Sequence, residues 1–199
     1  MKPGGANRKA VTLRDHLRRA TAHSHDRLDA SMRPAADWRS PDDYARFLSA
    51  QHAARVPVEA WLAQHAPAHL TPPEQTSLLA RDLSRLGKRN IPARDSFTLT
   101  AYGEASAIGV AWVLAGSSLG NRAMLHDMRR SLPKGTEWPH EFLSSVEMSQ
   151  FWNSLRSLVE VPAHREQTEA ASHAAICVFD HFFNVARANQ SATELEGVR

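Results

Sequence analysis

Glycines set one helical turn apart, Gly116 and Gly120, sit inside a stretch from Tyr102 to Arg130 that reads as one helix, and around it the chain is organised. At helical period Gly109, Gly116 and Gly120 share a face with Val113 between them, while Leu114, Ser118 and Leu125 point the other way. Each interior glycine costs roughly 0.8–1 kcal/mol relative to alanine, so the stripe calls for a compensating close approach. A face without Cβ atoms admits either a second helix backbone or a flat ligand. It also lets the helix bend, with Ser117 and Ser118 able to bond back to carbonyls. Spacing alone points to a tight helix crossing; a ligand needs support from elsewhere in the chain.

Other start and stop signals divide the rest into helices. Thr12 caps a first helix, with Asp15 in capping-box position. It runs to about Ser31, stops at Arg33-Pro34, and buries Leu13, Leu17, Ala20, Ser24, Leu28 and Met32. Ser40-Pro41-Asp42-Asp43 opens a second helix, which Pro57 kinks or divides. Thr71-Pro72-Pro73-Glu74 repeats that signal for a third, ended by Gly87 and followed by a polar loop from Lys88 to Asp95. A helix from about His140 to Val159 and a last one opened by Pro162 and reaching Arg187 complete the pattern. No alternating strand pattern occurs. The expectation is an all-α, single-domain, multi-helical bundle of about seven helices over residues 12–189, between a disordered leader, 1–11, and a frayed tail, 190–199.

With 199 residues, 42% hydrophobic and 23% charged, the chain has the size for one compact core. Cys177 is its single cysteine, so an internal disulfide and a thiolate metal site are excluded, and a metal would need imidazole or carboxylate. Amid Ile176, Val178 and Phe179, that thiol reads as buried and inert. No segment is long and apolar enough to span a bilayer, and a cytoplasmic protein is expected. The net charge of +3 comes from scattered Lys and Arg rather than a basic stripe with interleaved aromatics. Nucleic acid is therefore not expected as a partner, whereas an acidic protein or anionic ligand is compatible with this charge.

Eleven histidines are many for such a chain, and the informative one is His25. His16 and His23 lie on the polar side of the first helix beside Arg19 and Arg27. His25 sits at the edge of the apolar face, one turn after Thr21 and one turn before Leu28 and Asp29, with Arg18 almost in line two turns earlier. One helix edge thus offers an imidazole for a metal and a guanidinium for a carboxylate. Other constellations are incomplete. A carboxylate-bridged di-iron bundle needs two Glu-x-x-His pairs, and the single instance, Glu137 to His140, is interrupted by Pro139. Nucleophile elbow, P-loop and dinucleotide fingerprint are all missing.

The run Leu17-Arg18-Arg19-Ala20-Thr21-Ala22-His23-Ser24-His25-Asp26-Arg27-Leu28-Asp29, together with Gly116-Ser117-Ser118-Leu119-Gly120, resembles the two signature regions of the heme oxygenases. The likeness is greatest to the short bacterial kind associated with bacteriophytochromes and extends over residues 12–187. It implies that His25 is the axial ligand of heme iron, that Arg18 pairs with a heme propionate beside Thr21, and that Gly116, Ser117 and Gly120 belong to a kinked helix over the opposite heme face. Heme b would be both cofactor and substrate. Its oxygen-dependent opening would give biliverdin, CO and ferrous iron, with O₂ and electrons from a ferredoxin- or flavoprotein-type reductase. A bacteriophytochrome would be a recipient of the biliverdin, and the protein a monomer or weak dimer. Three positions depart from the family pattern. Trp112 stands in place of a usual tyrosine, Ala115 in place of an acid, and Asn121 in place of glycine or alanine, where it crowds the distal pocket or adds a donor to it. Arg156 and Arg187 are further candidates for propionate contact. Two alternatives stay open: a non-catalytic tetrapyrrole-binding relative, and a heme-free enzyme of the same architecture, such as the thiamine-salvage or quinone-cofactor-synthesis relatives.

Overall fold

The structure is a computed structural model that describes residues 11–36, 38–89 and 96–196. Residues 1–10 of the expected leader and 90–95 of the loop lie outside these residues. Among the described residues there are six α-helices and one 3-10 turn, and no strand. The helices are α1 Leu13–Ala36, α2 Pro41–His65, α3 Thr76–Arg85, α4 Glu104–Ser131, α5 Val146–Val159 and α6 Arg165–Glu196, with the turn at Ala68–Leu70. The architecture is the expected all-α bundle.

Helix starts follow local capping where the cap lies next to the helix. The Thr12 hydroxyl accepts from Asp15 N at 3.2 Å and Asp15 Oδ2 accepts from Thr12 N at 3.1 Å, a reciprocal capping box. Ser40 Oγ accepts from Asp43 N at 3.1 Å, with Pro41 in the first turn. Four expectations shift. α1 continues past Arg33-Pro34 to Ala36, and its buried side is Leu13, Leu17, Thr21 and Ser24, with Ala20 exposed. α2 remains one helix through Pro57; the proline withdraws a donor from the ladder at Ala53, and next to it His181 Nε2 bonds the Ala54 carbonyl at 3.1 Å.

The third correction concerns α3, which begins at Thr76 and not at Thr71. Pro72 and Pro73 bias the residues before them toward extended backbone. The cap comes instead from α2: Glu59 accepts from Gln75 N at 3.1 Å, Thr76 N at 3.3 Å and the Thr76 hydroxyl at 2.9 Å. Fourth, residues 140–145 form turns ahead of α5, because the buried carboxylate of Asp82 draws in the backbone N–H groups of Glu141 and Phe142, each at 3.0 Å. At the other end, α6 starts at Arg165, after Pro162, and continues to Glu196.

Three apolar clusters surround α4. Leu13 and Leu17 of α1 meet Ala111 and Ala115 of α4, Trp152 and Leu155 of α5, and Ala175 of α6. Val58 and Trp61 of α2 meet Val110 and Leu114 of α4 and Val178 and Phe182 of α6. Beyond them Tyr44, Phe47, Leu79, Leu125, Trp138 and Phe142 close the far end of the bundle. No helix among the described residues is long and apolar enough to cross a membrane.

Burial has one readable pH consequence. His52 on α2 is half-buried, its Nδ1 has no partner among the described residues, and burial lowers its pKa from 6.5. A depressed value means that the unfolded chain binds the extra proton first. The stabilising contribution is complete above the unfolded-state value and is lost as pH falls through the folded one. Thermal melts between about pH 7.5 and 5 will therefore show stability falling with acid, and His52→Gln will flatten part of that slope. An unchanged slope in the variant rules this contribution out.

Candidate functional site

The outer edge of α1 around His25 and the second half of α4 are open faces of this bundle. His25 is 55% exposed, its Nδ1 lies 3.2 Å from Asp29 Oδ2 one turn on, and its ring meets Phe179 of α6 edge-on with centroids 5.7 Å apart. Asp29 and Phe179 flank the ring. Nδ1 lies within ion-pair distance of the carboxylate, and Nε2 has no partner among the described residues. Next along the helix, Arg27 pairs with Asp180 and lies 4.3 Å from the Phe183 ring centroid, tying α1 to α6.

The other residues expected on α1 divide. Arg18 is exposed and makes no ion pair among the described residues; seven residues at 1.5 Å each place it about 10 Å from His25 along the axis. Thr21 is buried, and its hydroxyl donates to the Leu17 carbonyl at 2.8 Å, so its polar group is committed inside the helix. Arg156 bonds Glu160 through Nε at 3.1 Å and Nη2 at 3.0 Å, and Arg14 joins the same carboxylate at 2.9 Å. That cluster belongs to the start of α1, about 16 Å along the helix from His25. Arg187 lies 5.9 Å from the Phe183 ring centroid.

On α4 the glycine stripe separates into two parts. A Cβ at Gly109 would stand 2.1 Å from the Ala171 carbonyl oxygen of α6, so this glycine serves the helix crossing. At Gly116 a Cβ would meet one ring carbon of Trp152 at 3.8 Å, and at Gly120 nothing within 4 Å. The end of the stripe therefore carries bare backbone beside open space. Trp112, one turn before Gly116, is half-buried with its indole Nε1 unbonded among the described residues. Ala115 is buried in the first cluster. Asn121 is turned away from the glycines: with Ser118, Leu125, Phe142 and Met148 it lines a cavity of about 330 Å³ between α4 and residues 142–148. Cys177 is half-buried rather than buried; burial first, then Asp180, pushes its thiol pKa up and keeps it protonated.

Arg55 of α2 is the residue that the sequence did not single out. Its side chain is 1% exposed, and Nη2 donates to Ser117 Oγ at 2.6 Å, while that hydroxyl donates onward to the Leu114 carbonyl at 2.7 Å. Glu59, the nearest carboxylate, is 4.0 Å away and already accepts the three α3 bonds. The Phe142 and Phe182 rings flank the guanidinium at 5.1 and 5.9 Å, and Nε and Nη1 have no hydrogen-bond partner among the described residues. Burial pulls the Arg55 pKa down against the pull of Glu59, and it pushes the Glu59 pKa up. An arginine nevertheless remains charged in a protein interior.

Among the described residues no three His, Cys, Asp or Glu side chains gather into a metal cage. What α1 offers a metal is a single oriented imidazole, which suits an ion whose other ligands come with it, as in a metallated macrocycle.

Comparison with known proteins agrees with this geometry at the level of fold. No family model and no curated protein matches the chain. Among solved structures it is similar to a heme oxygenase from Neisseria meningitidis, studied with NO and CO bound, at 23% identity and a TM-score of 0.63, covering 90% of this chain and 92% of that one. The chain has the heme oxygenase fold.

Proposed function

We propose that this protein binds heme between α1 and α4 and degrades it, with O₂ and external electrons, to biliverdin, CO and ferrous iron. The observation that carries the reading is His25, an accessible imidazole with Asp29 beside its Nδ1 and no partner on its Nε2 among the described residues, in a chain with the heme oxygenase fold. The second half of α4 supports it, because Gly120 leaves main chain open to close approach by a flat molecule. These residues fit heme: His25 would supply the axial nitrogen, Arg18 a cation for a propionate, and Gly116 and Gly120 the space on the other side.

Heme would supply the iron and the oxidisable ring. The chain supplies orientation and shape. Asp29, beside Nδ1, would favour the His25 tautomer that leaves Nε2 free for the metal. Phe179 limits rotation of the ring. Ser117, bonded to both Arg55 and the Leu114 carbonyl, fixes a polar group beside Gly116. Electrons would come from a ferredoxin- or flavoprotein-type reductase, and the finer assignment within the family is to the bacteriophytochrome-associated type, acting in the cytoplasm.

Hemin titration tests this directly. A Soret complex at one heme per chain is expected, followed by conversion to biliverdin with release of CO once reductant and O₂ are supplied. Failure to form that complex ends the reading. A complex that persists unchanged under reductant and O₂ turns the assignment to a tetrapyrrole carrier.

A further inference from the structure

Arg55 presents an electrostatic problem that the fold leaves unsolved. A buried guanidinium ordinarily has a carboxylate in bidentate contact and all of its donors bonded, because removing a charge from water costs several kcal/mol otherwise. Among the described residues the one hydrogen-bond partner is a neutral hydroxyl, the nearest carboxylate is held at 4.0 Å by its duty at α3, and two of the three guanidinium nitrogens are unbonded. The aromatic faces of Phe142 and Phe182 offset part of this cost without accepting a directed bond. Through Ser117, the guanidinium is attached to α4 immediately beside Gly116 and one turn before Gly120, where the main chain is open.

We infer that the buried charge of Arg55, held against α4 by Ser117, acts through its field as an anion-selective subsite, favouring anionic over neutral ligands on the α4 side of the ligand space. This rests on the heme reading above and goes beyond it by assigning the charge preference of the side opposite His25. A fixed positive charge in a medium of low polarity attracts an anion nearby and leaves a neutral ligand of similar size almost unaffected. Ser117 accepts from Arg55 and donates to Leu114, so it aligns the guanidinium rather than neutralising it. Introducing a carboxylate at position 117 would supply the missing counter-charge and cancel the preference. Ser117 lies at the exposed edge of α4, and a melt of Ser117→Asp checks that its fold matches the wild type.

The test uses the ferric hemin complex of the full chain, with azide as the anionic probe and imidazole as the neutral one, both followed at the Soret band. Arg55→Met and Ser117→Asp are each expected to weaken azide binding by about tenfold or more, as loss of one nearby charge implies, while imidazole affinity moves less than about twofold. Arg55→Lys should recover most of the azide affinity. Equal shifts for both probes, or unchanged azide affinity in Ser117→Asp, overturn the subsite even where the Soret complex forms normally. If Arg55→Met fails to fold, Ser117→Asp decides alone. If the wild type gives no Soret complex, the heme reading and the subsite fall together, whereas a normal complex with unaltered azide binding removes only the subsite.

Discussion

His25→Ala will leave the fold intact and abolish turnover. The side chain is 55% exposed and its two contacts are an exposed carboxylate and one ring edge, so the melting temperature should move little. Hemin will still associate loosely with the apolar space but without its protein nitrogen. Product formation should fall by more than about a hundredfold, since loss of an outer partner of a metal ligand already costs roughly 10–100-fold. Asp29→Asn should fall inside that smaller range, because it removes the carboxylate beside Nδ1 and spares the ring itself. Added imidazole is expected to restore part of the Soret spectrum of His25→Ala. Full activity in the alanine variant would remove His25 from the site.

The second large effect separates glycines that look alike. Gly109→Ala places a methyl 2.1 Å from the Ala171 carbonyl oxygen, a backbone atom that cannot rotate away, so α4 and α6 must part. Overpacking of this kind costs about 1–3 kcal/mol and more where main chain is the obstacle, against roughly 1 kcal/mol gained in helix propensity. A fall in melting temperature of roughly 5–10 °C is expected for a chain of this size. Gly120→Ala meets nothing, so the melting temperature should rise by roughly 2–4 °C, while hemin affinity and turnover drop because the methyl enters the open space. Melts and hemin titrations of the two variants check both halves. Equal destabilisation would make the whole stripe a packing device, and an active Gly120→Ala would detach α4 from the site.

The same contrast explains what the sequence could carry. Cap signals at Thr12 and Ser40 were legible because donor and acceptor lie within one turn of each other. The start of α3 was not, because its cap is Glu59, sixteen residues before Gln75 and on another helix. Gly109 and Gly120 are the same residue at the same register, and only the element lying opposite tells a crossing from an opening. Arg55 looked like one more polar residue between Ala54 and Val56; its partner Ser117 is sixty-two positions away. His25 was legible because its neighbouring carboxylate, Asp29, is on its own helix. Ala20 was misplaced because the inward stripe of α1 turns through Thr21, a polar residue that hides its hydroxyl on the Leu17 carbonyl.

The borrowed cap of α3 also bears on the order of assembly. With Glu59 absent, the first amides of α3 would lack an acceptor, so that short helix has little reason to exist before α2 arrives beside it. The Gln75 and Thr76 amides should then exchange with deuterium at the pace of α2 detachment rather than of fraying in their own segment. Two adjacent protons thus become a clock for the docking of a neighbour.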